Sequence, residues 1–163
     1  MLEKNNKNYK CKSIVIIGDF RLLQISIGGN KMATMKAARW HNRKDVRVEE
    51  VEIPEIRKEK QVKIAVKYAG ICGSDLHEYL GGPIFIPANE PHPYTGEKAP
   101  ITMGHEFCGE IIEIGSGVTK FKVGDRVTVE PILAKNGLIG KYNLDPNLNF
   151  VGLAGGGGGF SEF

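Results

Sequence analysis

Val62-Lys63-Ile64-Ala65-Val66-Lys67-Tyr68, closed by Gly70, is the stretch that decides the fold. Val62, Ile64, Val66 and Tyr68 occupy every second position, the period of a strand with one apolar face. The pattern therefore predicts a half-buried strand with these four side chains together. The same kind of segment recurs on either side. Met35-Lys36-Ala37-Ala38-Arg39-Trp40 begins one strand, and Val46 to Ile53 alternates in part until Pro54 closes it. Downstream, Glu106 to Gly115 carries Phe107, Ile111, Ile112 and Ile114, and Ser116-Gly117 turns the chain. A second turn at Phe121–Asp125 feeds the strand Arg126–Glu130. Many short strands separated by turns predict a mainly β fold, a closed or partly closed β-barrel with one or two short helices, an arrangement that limits exposed edges.

Between the strands the signals change. Ser74 is placed to cap a short helix over Asp75–Leu80, stopped by Gly81-Gly82-Pro83. Pro83, Pro87, Pro91, Pro93 and Pro100 make residues 81–100 a long irregular loop. Loops of this length are usually functional or mobile. Residues 131–150 also read as loop. Gly155 to Gly159 is an unbroken glycine run, a flexible or tightly turned backbone. It lacks the flanking strand, helix and acidic residue of a dinucleotide fingerprint.

The chain has 163 residues, 41% hydrophobic and 25% charged, the balance of an ordinary globular domain. Its +3 charge is unevenly placed. Residues 1–31 hold Lys4, Lys7, Lys10, Lys12, Arg21 and Lys31 against Glu3 and Asp19, a net of +4, which leaves −1 for residues 32–163. That remainder offers no basic face for nucleic acid. No apolar run approaches the roughly 20 residues of a membrane span. Asp19 and Arg21 interrupt the apolar segment around Ile14–Ile17 too early for a signal peptide. Three unevenly spaced cysteines, Cys11, Cys72 and Cys108, fit reduced thiols and a cytoplasmic setting better than a disulfide scaffold. Residues 1–34 read as an N-terminal extension. Gly28-Gly29-Asn30-Lys31-Met32 is what GGA-GGA-AAT-AAA-ATG would encode, so the expectation is upstream sequence read in frame; a real N-terminal arm is the alternative. Residues 35–163 form the domain.

Cys72 and His105 carry the chemistry. Thiolate sulfur and imidazole nitrogen suit Zn²⁺, and Gly70, Gly73 and Gly104 leave room for close approach. A buried structural thiol and a histidine satisfied by backbone are the plainer readings. Glu106 is a direct ligand, an acid paired with a nearby cation, or one side of a surface salt bridge. If Cys72 holds a metal, Ser74 stands close enough to hydrogen-bond an oxygen there, and His77, one turn on, can pass a proton to solvent. An N-cap serine and an exposed helical histidine are the alternatives. His41 is a weak candidate, His92 reads as solvated among the prolines, and Cys108 reads as core.

Gly104-His105-Glu106-Phe107-Cys108-Gly109, then Gly115 and Val118, resembles the zinc signature of the medium-chain zinc-dependent alcohol dehydrogenase family. Cys72-Gly73-Ser74-Asp75-Leu76-His77 resembles its first-ligand segment, and Gly124-Asp125-Arg126-Val127 its characteristic turn. Tyr79 to Pro87 and the glycine-rich end are similar to the butanediol dehydrogenase branch. The resemblance covers roughly 35–163. It implies a GroES-like partly open barrel, with Cys72 and His105 as catalytic zinc ligands, Glu106 as a possible or alternate one, and Ser74 and His77 as a proton relay. It implies a small alcohol or ketone substrate such as 2,3-butanediol or acetoin, NAD(H), and a homo-oligomer. The family often has four cysteines in a structural zinc lobe after the Gly-Asp-Arg-Val turn; residues 131–150 have none. The nucleotide-binding Rossmann half is absent, so the expectation is an N-terminal catalytic-domain fragment. Such a fragment holds an incomplete zinc site, binds no NAD(H) alone and is inactive by itself. A non-catalytic GroES-like partner-binding module, or one half of a split dehydrogenase completed by a second chain carrying the nucleotide-binding domain, are the competing expectations.

Overall fold

The computed structural model describes residues 12–15, 33–134 and 141–163, the first of these as backbone only. Most of the 1–34 extension thus lies outside the described residues. Within them the chain forms nine strands and one α-helix. The strands are β1 (Lys12–Val15), β2 (Thr34–Asn42), β3 (Asp45–Glu52), β4 (Val62–Gly70), β5 (Ile101–Thr102), β6 (Glu106–Ile114), β7 (Arg126–Glu130), β8 (Ile132–Leu133) and β9 (Asn149–Phe150). The helix α1 spans Gly73–Gly81.

Two sheets carry the architecture. One has the order β1-β7-β6-β4, the other β3-β2-β5, and β8 pairs with β9 as a small ribbon. The last residues stitch the two sheets together. Ala38 N–H donates to the Phe160 carbonyl at 2.8 Å, and Val66 N–H to the Glu162 carbonyl at 3.0 Å. The result is a mainly β, partly open barrel of the expected class. The ribbon corrects the reading of 131–150 as wholly loop: Ile132 pairs with Phe150 and Leu133 with Asn149 across the intervening segment.

Strand β4 departs from its simple alternation. Tyr68 is 78% exposed, not joined to a common face with Val62, Ile64 and Val66. The cause is a register shift against β6 between Val66 and Tyr68. An extra residue at such a point reverses which face the following side chains occupy.

The core is divided. Ile111 and Val127 pack with Val62, Ile64, Ile114 and Phe121 between the β4-β6-β7 strands. Trp40, Ile86, Ile101, Met103 and Leu153 form a second cluster beneath α1 and the 83–100 loop. Leu133, Val151 and Ala154 form a third, against Phe107. The 83–100 loop is fastened rather than loose. Thr95 Oγ–H donates to the Ala154 carbonyl at 2.6 Å, and Gly156 N–H donates to Glu97 Oε1 at 2.9 Å. Gly155, Gly156 and Gly157 all have positive φ, so the glycine run is tightly turned backbone.

Candidate metal centre

Cys72 sits where β4 hands over to α1, and His105 and Glu106 sit where the chain enters β6. Because β4 and β6 are antiparallel neighbours, with Gly70 opposite Glu106, these two entrances are adjacent in space. A Cβ at Gly70 would stand 3.1 Å from Glu106 Oε2, so glycine there leaves the carboxylate its place. Ligand atoms of Cys72, His105 and Glu106 all lie within 4.8 Å of one another. Among the described residues this is the one such group of histidine, cysteine and acid side chains.

Local structure fixes each donor. Cys72, not Ser74, is the N-cap of α1. The Asp75 carboxylate explains the difference: its Oδ2 accepts the Cys72 N–H at 2.9 Å, satisfying one of the orphan amides at the helix start. The other Asp75 oxygen lies 3.5 Å from His105 Nδ1, and both residues are buried. Asp75 therefore orients two of the three donors at once, and sequence reading did not single it out. Its signal was present as an acid three residues after the capping position. Behind His105, Gly159 N–H donates to the Gly104 carbonyl at 2.7 Å and Phe160 N–H to the Met103 carbonyl at 2.9 Å. The glycine run thus lies against the segment that presents His105. A Cβ at Gly158 would meet the Met103 carbonyl at 2.2 Å.

Electrostatics act on the two donors in opposite senses, favouring the thiolate of Cys72 but the protonated ring of His105. The Ser74 hydroxyl, the Ser74 amide and His105 hold the Cys72 thiol below its ordinary value, against opposition from burial and Glu106. Asp75 beside the ring, with smaller support from Cys72, raises the His105 imidazole to about 9, although desolvation opposes it. In the metal-free chain the ring is therefore charged at neutral pH, and its Nε2–H faces the Ser74 oxygen at 3.0 Å. A metal requires thiolate and neutral imidazole, so its binding would expel that proton while Asp75 keeps Nδ1–H in place. Zinc bonds of about 2.0–2.3 Å put ligand atoms roughly 3.5 Å apart, a contraction that small side-chain rotations can supply. The donor set and spacing fit zinc.

The remaining candidates divide. Ser74 joins the donors; His77 is exposed on α1. Cys108 is half-buried and lines an open cleft of about 630 Å³ with His105, Glu106, Tyr68, Thr128 and Phe150. His92 is only 7% exposed, contrary to the solvated reading, because Tyr94 packs edge-on against it at 5.5 Å. His41 lies 2.7 Å from Glu49 on the β2-β3 pair.

The chain is similar to known proteins over most of its length. Residues 58–163 match the family described as the alcohol dehydrogenase GroES-like domain. The chain is 67% identical over 129 residues to the (R,R)-butanediol dehydrogenase of Bacillus subtilis, covering 79% of this chain and 37% of that protein. It is 48% identical over 133 residues to the (R,R)-butanediol dehydrogenase of Neisseria gonorrhoeae, covering 78% and 37%. The crystal structure of 2R,3R-butanediol dehydrogenase from Bacillus subtilis superimposes with a TM-score of 0.75, covering 78% of this chain and 37% of that one. The chain thus spans little more than a third of the length of these relatives.

Proposed function

Since the chain belongs to the alcohol dehydrogenase GroES-like domain family, we propose that it is the zinc-holding, substrate-facing part of an oxidoreductase that interconverts secondary alcohols and ketones such as 2,3-butanediol and acetoin. The observation that carries this reading is the convergence of Cys72, His105 and Glu106 within 4.8 Å beside an open cleft. Three protein donors with one open corner is the catalytic form of a zinc site. Zinc, when bound, supplies Lewis-acid stabilisation of negative charge on the substrate oxygen during hydride transfer.

The chain's own residues bind, orient and move a proton. Asp75 holds the His105 ring, and the cleft seats the alkyl groups of the substrate. The Ser74 hydroxyl accepts the proton of the reacting alcohol as it releases its own toward solvent, and reverses the exchange in reduction, with the exposed His77 on α1 taking up the released proton. The nicotinamide rests on a βαβ half that continues this chain or belongs to a second one. The glycine run supports that placement, because it folds over residues 102–107 instead of opening a helix. We place the protein in the cytoplasm, where the free thiols Cys72 and Cys108 stay reduced.

Metal content decides the reading. Stripped chain refilled with Zn²⁺ is expected to retain about one ion per chain. Cys72→Ser, His105→Ala and Glu106→Gln should each weaken binding by at least about 100-fold, and Asp75→Asn by about 10–100-fold. A wild-type chain that stays metal-free overturns the proposal. The chain alone should also give no NAD-dependent acetoin reduction; robust turnover would show that the nicotinamide has been misplaced.

A further inference from the structure

Two buried polar side chains have no part in the chemistry above, and both bond the backbone at Phe85. Glu78 is fully buried on α1. Its carboxylate accepts the N–H groups of three successive residues, Ile84 at 3.0 Å, Phe85, and Ile86 at 3.1 Å. Asn149, 7% exposed, does the complementary work from β9. Its Nδ2 donates to the Phe85 carbonyl at 2.9 Å, and its Oδ1 accepts the Phe150 N–H at 2.8 Å. Phe85 and Phe150 meet edge to face at 6.3 Å, and Phe150 lies 6.3 Å from the His105 ring. Phe150 is also a wall of the cleft that contains His105 and Glu106.

We propose that Glu78 and Asn149 are positioning residues that fix Phe85 behind Phe150, the apolar wall of the donor cleft, and so set which alkyl groups fit beside His105. Burying a carboxylate is costly unless its oxygens are satisfied. Here the satisfying groups are the amides of an otherwise irregular segment, so the cost of burial is tied to one backbone conformation at Phe85. Gly82 completes the seat, since a Cβ there would stand 2.4 Å from Glu78 Oε2. Edge-to-face packing then transmits the position of Phe85 to Phe150. A rigid aromatic wall discriminates by shape, and one methylene too many in such a pocket costs about 10-fold or more. The ligand class is a short alkyl chain bearing an oxygen donor. The dependence on alkyl length rests on the zinc reading above; the positioning of the rings does not.

The test has two arms. In the metal-free chain, NMR cross-peaks among the Phe85, Phe150 and His105 rings are compared in wild type, Glu78→Ala, Glu78→Gln and Asn149→Ala. Cross-peaks are expected to be lost in Glu78→Ala and Asn149→Ala, and kept in Glu78→Gln, whose single oxygen still accepts. Where Glu78→Ala fails to fold, Asn149→Ala decides. Cross-peaks that persist in a folded Asn149→Ala overturn the proposal. In the second arm the Co²⁺-loaded chain is titrated with acetohydroxamate, butyrohydroxamate and octanohydroxamate, read by visible absorption. Wild type and Glu78→Gln should favour the short members, and Glu78→Ala and Asn149→Ala should lose about 10-fold of that preference while Co²⁺ affinity is unchanged. An unchanged preference overturns the role in selectivity. A wild-type chain that takes up no Co²⁺ defeats the zinc reading instead, and the ring cross-peaks still decide whether Glu78 and Asn149 position the wall.

Discussion

The sheet half and the site half of this molecule are held by different physics. Around β4, β6 and β7 the buried side chains are apolar, with Ile111 and Val127 at the centre. The buried polar residues, Asp75, Glu78, His92, Thr95, His105, Asp145 and Asn149, lie instead in α1, the 83–105 stretch and the 141–150 segment. Ladder hydrogen bonds satisfy the backbone of the sheet half. In the site half the backbone is irregular, and side chains stand in for the ladder: Asp75 takes the Cys72 amide and Glu78 takes those of residues 84–86. A buried group without such a partner is expensive. The irregular backbone that carries the donors is therefore stable only with these particular polar side chains.

Separating stability from metal affinity is the strongest way to break this division. Ile111→Ala removes a fully buried side chain from the sheet half. It should cost about 2–5 kcal/mol of unfolding free energy, while the folded fraction binds zinc with wild-type affinity. Gly158→Ala should lower both quantities. Its Cβ would meet the carbonyls of Thr102 and Met103 at 2.3 and 2.2 Å, next to the segment presenting His105. A stability loss of about 1–3 kcal/mol is expected, with zinc affinity down about 10–100-fold. Denaturant unfolding and metal-competition titration measure the two quantities. Equal loss of metal affinity in both variants would erase the distinction.

The same division explains what the sequence reveals. Strands β2, β6 and β7 are legible because apolar side chains of each pack into a core, which imposes a period of two, whereas β3 has no buried side chain and is marked only by partial alternation and the closing Pro54. That logic fails at Tyr68, where a register shift reverses the face; nothing local in Lys67-Tyr68-Ala69 announces it. Cys72, His105 and Glu106 are legible as a group because their spacing within short glycine-bearing motifs resembles a known signature. The supports are not. Glu78 serves amides six to eight residues ahead, and Asn149 serves a carbonyl 64 residues behind. A lone acid or amide carries no period and so no sign of what it will accept or donate to. His92 misleads for the same reason: a histidine among prolines looks solvated until Tyr94 and the 141–150 segment cover it.

His92 gives the smallest and most selective probe of the comparison. Burial lowers its imidazole below the ordinary 6.5, while the backbone of Asn147 and the charge of Asp145 push weakly the other way. The unfolded chain takes up a proton as pH falls below 6.5, and the folded chain resists until its own lower value is reached. The contribution is therefore fully present above 6.5 and is lost as pH falls through that window. His105 works in the opposite sense, since the folded chain already holds the proton that the unfolded chain takes up near 6.5, but it does so equally in wild type and in His92→Gln and so cancels in their comparison. His92→Gln keeps an acceptor for the Tyr94 N–H that Nδ1 now takes at 3.3 Å, but cannot titrate. Between pH 6.5 and 5 its denaturation midpoint should fall less steeply than that of wild type, whereas Ile111→Ala should keep the wild-type slope from a lower starting point. If His92→Gln and wild type fall in parallel, burial in the site half does not govern this histidine, and acid sensitivity no longer separates the two halves.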